Sequence, residues 1–472
     1  MRGTVGLLPI SRYSNVSSNG FLNKTALNCV FNLGKAVEYK IKVPDVDYIA
    51  KTGYKNNIRQ AFADFLGKDI NAIPEEKPER SLVFKTSINK KIENLKPNVI
   101  LIVMESFGND LMKYNSKQFN VLGELKKHFD EDIVFHNFSS EGTITIDAIE
   151  STFLNTRRRP DSERLIQSKY AYKLYKQDQF AAVTPYKQSG YETLCLYGGN
   201  TSWRNLRTLA LNLGFDKVLS CELINKNFPR GVWGVYDEYL FDLIFETLSQ
   251  SDNNKFIYAL TTTNHPPYTL PQDYRRLPLE IPKSLKDTIL DISLAKQRFA
   301  TYQYSNEMLG RFISKIKNSK YADNTIIAVT GDHSFNDACR MKNFFDAIRV
   351  PLYLYIPKSI RSKNINTDVF GSHLDIMPTL YNLSLSNSEY MSEGTDLLSK
   401  NAMNNVIHYE NYIIDKSYAV NDDIFKNNVV YYTFDNEHDF VVSNKKDEHE
   451  KLLKRLLSTM AIADYLIKKR RN

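Results

Sequence analysis

The chain has 472 residues, of which 42% are hydrophobic and 25% are charged. This composition excludes gross disorder, and the length allows one large α/β domain with an additional lobe. The formal charge of +8 is compatible with an anionic membrane surface or an anionic substrate. No compact basic motif with interleaved aromatic residues indicates nucleic acid as a partner.

The four cysteines lie far apart in the chain and form no C-x-x-C pair. This spacing excludes a zinc ribbon and a thioredoxin-like redox site, and it leaves one disulfide open without assigning its partners. No apolar run approaches the ~20 residues that a membrane-spanning helix needs. The longest run, residues 99–104, has the length of a strand.

Residues 1–95 are predicted to form an N-terminal linker region with helical parts. This segment is rich in Asn and Lys, and its residues 54–66 have apolar positions compatible with a helix. Residues 75–80 form a charged stretch that is typical of a linker. The turn signal Lys96-Pro97-Asn98 then precedes the first continuous apolar run, so we expect the globular core to begin at residue 96.

Short apolar runs alternate with helical patterns between residues 96 and 395. The runs cover residues 99–104, 193–197, 255–260, 324–330 and 350–356. Continuous apolar runs are typical of strands that are covered on both faces. Their alternation with helices predicts an α/β fold with a doubly wound, mostly parallel central sheet and helices on both faces. In such sheets, ligands bind beyond the carboxyl ends of the strands.

Residues 396–472 have a different pattern, which predicts a small C-terminal α+β region. Residues 429–434 and 439–442 are expected to pair as a hairpin around residues 435–438. An amphipathic helix over about residues 448–468 is expected to close the chain.

Carboxylate and imidazole side chains directly follow two of the predicted core strands. Glu105 comes after the first run, and Asp332 and His333 follow Gly331 at the end of the fourth. Because the carboxyl ends of parallel strands meet at one edge of a sheet, these side chains are candidates for a shared divalent-metal site. The structural alternative is a helix-capping carboxylate beside a hydrogen-bonded histidine.

Residues 140–150 predict a glycine-containing loop that leads into a helix, with Thr143 and Thr145 near the first turn. A helix N-terminus offers unpaired N–H groups and a positive dipole end to a phosphate. A metal-bound threonine hydroxyl at this place could attack phosphorus and become transiently phosphorylated. Either threonine could instead serve only as the helix N-cap.

Two further segments follow predicted strands and carry side chains that suit a phosphate. His265 could bind a phosphoryl oxygen or protonate a leaving group, or it could be a loop histidine packed by the adjacent prolines. Arg204 could clamp a phosphate while Trp203 walls a small headgroup, although tryptophan is more often a core residue.

In their order along the chain, these segments resemble the lipoteichoic acid synthase-like branch of the alkaline phosphatase/sulfatase superfamily. The resemblance covers roughly residues 98–380. It rests on the strand that ends in Glu105, a G-x-x-T loop at 142–145, an N-H-x-P segment at 264–267, a G-D-H motif at 331–333 and a D-x-x-P-T segment at 375–379.

The resemblance implies the catalytic roles at the metal site. It selects Thr145 rather than Thr143 as the nucleophile. It also implies that Glu105, Thr145, Asp332 and His333 bind one divalent ion, Mn²⁺ or Zn²⁺, with Mg²⁺ as a further candidate.

The resemblance also implies substrate binding by His265, Trp203 and Arg204. The Trp/Arg motif of the family has a residue between its two members, whereas Trp203 and Arg204 are adjacent in this sequence. Arg207 is therefore an alternative source of the guanidinium group. His373 is expected to be an accessory metal or substrate ligand, or else a structural histidine.

Residues 2–28 resemble the segment that follows the last transmembrane helix in this family. The resemblance implies that membrane helices precede the sequence in the natural protein and that Met1 is an added residue. It further implies a catalytic domain on the extracytoplasmic face of the bacterial cytoplasmic membrane.

The function implied by the resemblance is metal-dependent transfer of a phospholipid headgroup phosphate, phosphoglycerol or phosphoethanolamine, through a phospho-Thr145 intermediate. The acceptor would be a hydroxyl of a cell-envelope glycan or lipid. A phosphodiesterase or phosphohydrolase that uses water as the acceptor is an alternative, and a non-catalytic binding module is another. Sulfatase activity is disfavoured because no cysteine lies in a C-x-P-x-R context and the nucleophile loop lacks this motif.

Overall fold

A computed structural model describes residues 47–159, 180–221, 227–251, 253–334, 338–340, 343–400, 402, 406–423, 428–434, 440–444 and 446–471. Residues Tyr48–Asn472 form one compact unit. The boundaries proposed at 95/96 and 395/396 therefore fall inside this unit. Among the described residues, no helix is both long enough and apolar enough to cross a bilayer.

The strands, in chain order, are β1 (Val83–Lys85), β2 (Asn98–Met104), β3 (Ile133–Phe135), β4 (Phe138–Ser139), β5 (Glu192–Tyr197), β6 (Lys217–Ser220), β7 (Lys255–Leu260), β8 (Thr325–Gly331), β9 (Leu352–Tyr355), β10 (Gly371–Ser372), β11 (Glu389–Met391), β12 (Ile407–Tyr409), β13 (Tyr412–Ile414), β14 (Tyr418–Asp423), β15 (Asn428–Phe434) and β16 (Phe440–Val442).

The α-helices of the described residues, in chain order, are α1 (Tyr48–Lys51), α2 (Ile58–Leu66), α3 (Lys90–Leu95), α4 (Leu125–Glu131), α5 (Thr145–Leu154), α6 (Thr184–Gln188), α7 (Leu206–Leu213), α8 (Asp237–Ser249), α9 (Lys283–Lys286), α10 (Ile292–Lys317), α11 (Phe344–Ile348), α12 (Ile376–Ser384) and α13 (Lys446–Arg471). Short 3₁₀ turns lie at Ile70–Ala72, Pro78–Leu82, Met112–Tyr114, Trp203–Asn205, Ala322–Asn324 and His373–Asp375.

Among the described residues, the central sheet has seven strands in the order β3-β9-β8-β2-β7-β5-β6. Strands β8, β2, β7, β5 and β6 are parallel, and β9 is antiparallel to both of its neighbours. The five predicted core strands are all present within one or two residues. The last of them begins at Leu352 rather than at residue 350, after Pro351, which has no N–H to donate to a ladder. The predicted mostly parallel sheet is confirmed.

Strand β2 explains why helices cover both faces of the sheet. Its side chains alternate, so that Val99, Leu101 and Val103 enter one hydrophobic cluster and the residues between them enter another. Helices α5 and α12 contribute apolar residues to the first cluster, and helices α8 and α10 contribute to the second. The predicted doubly wound architecture is therefore confirmed.

The C-terminal region is larger in structure than the sequence indicated. The predicted hairpin is present as β15 and β16, and its turn lies outside the described residues. Strands β12, β13 and β14 precede it, and in the part of the chain that the structure describes they complete an antiparallel sheet of five strands in sequence order. The predicted closing helix is present as α13, with a few more residues at each end.

The N-terminal part of the compact unit packs against this closing helix. The predicted helix at 54–66 begins at Ile58, because the Asn57 side chain caps it by accepting a hydrogen bond from Gln60 N. The stretch predicted as a charged linker contains the buried Glu79, which accepts a hydrogen bond from the Tyr465 hydroxyl over 2.8 Å. Glu79 thus pairs with α13, and part of this stretch forms the 3₁₀ turn Pro78–Leu82 rather than an extended linker.

Candidate active site

The candidate catalytic residues lie together at the carboxyl edge of the central sheet. Strands β2 and β8 are parallel neighbours, with Met104 opposite Gly331 at their ends. Glu105 and Asp332 are the next residues along each strand, so the register of the sheet brings their side chains together. Gly331 is required here, because a Cβ atom at this position would lie 2.3 Å from the Phe107 carbonyl oxygen.

Glu105, Asp332 and His333 form a buried cluster that could hold a metal ion. One ligand atom from each of them lies within 4.8 Å of the others. His333 Nε2 is 3.4 Å from Asp332 Oδ2 and 3.9 Å from Glu105 Oε1. Two carboxylates and one imidazole are a common ligand set for divalent ions. The sequence-based grouping of these three residues agrees with this geometry.

The electrostatics of the cluster favour a bound cation. Burial, and then the charge of Asp332, raise the pKa of Glu105 well above its usual range. Within the described part of the chain, Asp332 Oδ2 is buried and accepts no hydrogen bond. A buried carboxylate oxygen without a hydrogen bond is costly unless a cation neutralises it. The residues present therefore fit a divalent metal ion.

Thr145 brings a hydroxyl group to this cluster. It is the first residue of α5, and its Oγ1 donates a hydrogen bond to Glu105 Oε2 over 3.5 Å. The N-cap residue of this helix is Ile144, which makes no side-chain cap bond, so the capping alternative for Thr145 does not apply. Thr143 is exposed, and it lines the same cavity. The geometry thus separates the two threonines of the loop.

Two residues to which the sequence assigned no role of their own, Ser106 and Asn264, hold the strand end in place. The left-handed backbone of Ser106 (φ 52°) turns the chain sharply after Glu105. Ser106 N donates to Asp332 Oδ1 over 2.7 Å, and Ser106 Oγ donates to Glu105 Oε1 over 2.7 Å. Asn264 Nδ2 donates to the Ser106 carbonyl oxygen over 3.1 Å. These bonds orient both carboxylates of the cluster.

A cavity of about 270 Å³ opens beside the cluster. Its lining residues are Glu105, Ser106, Thr143, Ile144, Thr145, Ile146, Tyr197, Trp203, Arg204, Trp233, Thr261, Thr262, His265, Pro266 and His333. Three of the predicted substrate-binding residues, His265, Trp203 and Arg204, are among them. The lining combines aromatic walls with polar groups from the cluster, as small-molecule sites commonly do.

Trp233 was missed by the sequence analysis. Its Nε1 donates to the Pro266 carbonyl oxygen over 2.7 Å, and its ring lies against the ring of His265 at a centroid distance of 4.1 Å. His265 Nδ1 is 2.8 Å from the same carbonyl oxygen. Because a carbonyl oxygen only accepts, this hydrogen bond places a proton on Nδ1. The chain contains only two tryptophans, and both line this cavity.

Comparison with known proteins places this site in a family. The sulfatase family model matches residues 97–384, which is more than half of the chain and includes the whole cluster. The chain belongs to the sulfatase family. The family expected from the motifs is thereby confirmed.

Curated relatives of this sulfatase-family chain include lipoteichoic acid synthases and a phosphoglycerol transferase. Lipoteichoic acid synthase 1 of Bacillus subtilis is 25% identical over 354 residues, which cover 69% of this chain and 52% of that protein. Lipoteichoic acid synthase of Staphylococcus aureus is 24% identical over 447 residues, covering 88% and 63%. Phosphoglycerol transferase I of Xanthomonas campestris is 28% identical over 232 residues, covering 46% and 30%. The chain thus spans between about a third and two thirds of the length of these relatives.

Solved structures of sulfatase-like proteins have the same fold. The lipoteichoic acid synthase LtaP of Listeria monocytogenes matches with a TM-score of 0.65 and 20% identity, over 82% of this chain and 96% of that one. An alkaline phosphatase superfamily protein of Vibrio parahaemolyticus matches with a TM-score of 0.69 and 19% identity, over 90% and 99%. The predicted fold class is confirmed.

Two of the predicted substrate-binding residues of this sulfatase-family chain do not line the cavity. Arg207 Nη1 donates to the Val218 carbonyl oxygen over 2.7 Å, so its guanidinium supports the edge strand β6. His373 is fully buried, and its Nε2 is 2.8 Å from the Gly331 carbonyl oxygen. Burial lowers the pKa of His373 to about 4. His373 therefore lies behind the strand end that carries Asp332, as a structural histidine would.

Proposed function

We propose that the protein is a metal-dependent phosphotransferase that moves a phospholipid headgroup phosphate to a hydroxyl of a cell-envelope glycan or lipid. The observation that carries this proposal is the hydrogen bond from Thr145 Oγ1 to Glu105 Oε2, at the edge of the buried acidic and imidazole cluster. A hydroxyl in this position has the arrangement of an activated nucleophile.

The metal ligands would be Glu105, Asp332, His333 and Thr145. A divalent ion in such a site supplies a lowered pKa of the bound hydroxyl and stabilises negative charge on phosphoryl oxygens. Mn²⁺ and Zn²⁺ both suit a set of carboxylate, imidazole and hydroxyl ligands, and Mg²⁺ is a further candidate.

Thr145 would act in two displacement steps. In the first, its Oγ forms a bond to phosphorus, the bond from phosphorus to the diacylglycerol oxygen breaks, and the proton of Thr145 is delivered to that oxygen. His265 lines the cavity and is a candidate for this delivery. In the second, the oxygen of an acceptor hydroxyl forms a bond to phosphorus, the bond from phosphorus to the Thr145 Oγ breaks, and the proton of the acceptor goes to that Oγ.

The cavity supports a small headgroup. Its volume of about 270 Å³ lies just below the usual range of ligand sites and suits a group as small as phosphoglycerol or phosphoethanolamine. Trp203 and Trp233 would wall the headgroup, and the exposed Arg204 would meet its phosphate at the rim. The names of the relatives, which include a phosphoglycerol transferase and lipoteichoic acid synthases, support phosphoglycerol.

We further propose that the protein is anchored in the bacterial cytoplasmic membrane, with this domain on the extracytoplasmic face. There it would meet its phospholipid donor and its glycan or lipid acceptor. The support is the resemblance of residues 2–28 to the segment that follows the membrane helices of the family.

Hydrolysis by the same site is the second candidate function. Thr145 is only half-buried, so water can approach a phosphorylated Thr145 from the cavity. A phosphodiesterase or phosphohydrolase would share the first displacement step and differ only in its final acceptor.

The experiment measures diacylglycerol release from fluorescent phosphatidylglycerol and, separately, phosphatidylethanolamine, with Mn²⁺ or Zn²⁺. Thr145→Ala is the test variant, and Thr143→Ala is the matched control from the same loop. We expect release from one lipid, abolished by Thr145→Ala and retained by Thr143→Ala. Release that rises with an added glycan or glycerol acceptor indicates transfer, whereas release that is independent of acceptor indicates hydrolysis. Equal activity of Thr145→Ala and the wild type contradicts the proposal.

A further inference from the structure

Three consecutive arginines follow helix α5, and each meets an acidic side chain from a different part of the fold. The pairs are Arg157 Nε with Glu141 Oε2 at 3.6 Å, Arg158 Nε with Asp147 Oδ1 at 3.2 Å, and Arg159 Nη1 with Asp464 Oδ1 at 2.6 Å. All six side chains are at most 9% exposed. Buried charges at this density need a structural or functional reason.

Arg158 joins the nucleophile helix to the C-terminal sheet. Asp147 is the third residue of α5, two positions after Thr145, and its side chain is 1% exposed. Arg158 Nη2 also donates to Glu410 Oε2 over 3.0 Å, and Glu410 lies between β12 and β13. One guanidinium therefore bridges the first turn of α5 and the turn of a separate sheet.

Arg157 makes a parallel connection to the loop that precedes the helix. Its partner Glu141 lies in that loop, four residues before Thr145. Arg157 Nη1 is 3.2 Å from Nδ1 of the buried His408, and Nη2 donates to the Glu410 carbonyl oxygen. Arg157 and Arg158 thus hold both sides of the nucleophile loop from the same anchor.

The position of Asp147 is mechanically coupled to that of the loop. A Cβ atom at Gly142 would lie 2.5 Å from Asp147 Oδ2, so the loop backbone packs directly on this carboxylate. Asp147 N also donates to the Ile144 carbonyl oxygen over 2.9 Å. If Arg158 were lost, the buried Asp147 carboxylate would lose the guanidinium that lies 3.2 Å from it and would move towards water, taking the loop with it.

We infer that Arg158 is a positioning residue for Thr145, and that Glu410 of the C-terminal sheet anchors it. This inference rests on the proposed role of Thr145 as the nucleophile. It assigns the C-terminal sheet a part in catalysis, because its turn fixes the first turn of α5 through Arg158. Neither Arg158 nor Glu410 lines the cavity, so both act through other residues.

The test compares Arg158→Gln with Arg159→Gln. Both variants remove a buried guanidinium from the same segment, but the partner of Arg159 lies on α13 and not in the nucleophile loop. A misplacement of about 1 Å can reduce a rate by about 100-fold. We expect Arg158→Gln to lower kcat for phosphatidylglycerol by about 10- to 100-fold with KM changed less than about 2-fold. Arg159→Gln should lower stability and leave kcat unchanged.

Two further variants guard against misfolding. Glu410→Gln removes the half-exposed anchor and should lower kcat about 3- to 10-fold in a folded protein. The double variant Asp147→Asn/Arg158→Gln removes both charges of the pair, and it should recover part of the kcat lost in Arg158→Gln.

Hydrogen exchange of residues 138–149 gives a readout that does not depend on lipid turnover. We expect the amides of this segment to exchange about 10-fold faster in Arg158→Gln and at the wild-type rate in Arg159→Gln. The reason is that the loss of Arg158 favours local opening of this segment rather than global unfolding. A wild-type protein that does not turn over phospholipid would contradict the proposed function, while the exchange difference would still support the positioning role. Unchanged exchange and unchanged kcat in Arg158→Gln would overturn the inference, as would equal loss of kcat in both arginine variants.

Discussion

The Thr145 hydroxyl donates a hydrogen bond to Glu105 Oε2 over 3.5 Å, which joins the first residue of helix α5 to the end of strand β2. These residues are 40 positions apart in the chain. Their contact brings a hydroxyl group that makes no cap bond to a buried cluster of two carboxylates and one imidazole.

We predict that Asp332→Asn changes the stability of the protein in opposite directions with and without metal. In metal-free protein the variant should be more stable than the wild type by about 1 kcal/mol, because a buried like-charge partner of Glu105 is removed. With saturating Mn²⁺ the order should reverse, because the variant binds the ion at least about 10-fold more weakly. Thermal unfolding with EDTA and with Mn²⁺ checks this. Equal stabilisation of both proteins by Mn²⁺ would show that Asp332 is not a ligand.

We predict that substitutions of Trp233 weaken headgroup binding, and that alanine weakens it more than phenylalanine. Trp233→Ala removes one wall of the cavity. It should raise KM for phosphatidylglycerol about 10-fold, because the bound headgroup no longer buries apolar surface against the indole ring. Trp233→Phe keeps a ring and loses only the hydrogen bond to the Pro266 carbonyl oxygen, so it should raise KM less than about 3-fold. Steady-state kinetics in mixed micelles provide the comparison. Wild-type KM in Trp233→Ala would remove this residue from the site.

We predict that the contribution of Glu393 to the stability of the protein depends on pH. Burial raises the pKa of Glu393 to about 8, although the nearby Arg157 opposes this shift. A carboxyl group with a raised pKa in the folded state contributes stability at low pH that is lost as the pH rises from its unfolded pKa through about 8.

The test of this linkage is Glu393→Gln, which keeps the shape of the neutral side chain. The free energy of unfolding of the two proteins should be similar at about pH 5. At about pH 9 the variant should be more stable by more than about 1 kcal/mol. Urea unfolding at both pH values measures the difference, and a difference that does not change with pH contradicts the assignment.

The strand-end residues of the site were predictable from sequence for a local reason. Glu105 directly follows one apolar run, and Asp332 and His333 follow Gly331 at the end of a second apolar run. The two runs form neighbouring parallel strands, so their carboxyl ends lie side by side. Ser106 could have been found from the same position, since it is the second residue after β2.

The rest of the site depends on pairings between distant segments. Trp233 reaches the cavity because Gly234 bridges to Gly199, a pairing that no local pattern indicates. Arg158 pairs with Glu410, which lies more than 250 residues later in the chain. Arg207 has the residue type and location of a phosphate ligand, and only the structure shows that it turns towards Val218. Strands β12 to β14 were missed because two of them have only three residues and two contain polar positions.

The role of Thr145 as the nucleophile can be tested directly by the mass of the peptide that contains it. The wild-type protein is incubated with phosphatidylglycerol and Mn²⁺ without an acceptor, quenched in acid, digested and analysed by fragmentation mass spectrometry. We expect a phosphoglycerol group on Thr145 and none on Thr143, and we expect an acceptor hydroxyl to remove the group. Diacylglycerol release without any adduct on Thr145, or an adduct on another residue, would show that Thr145 is not the nucleophile.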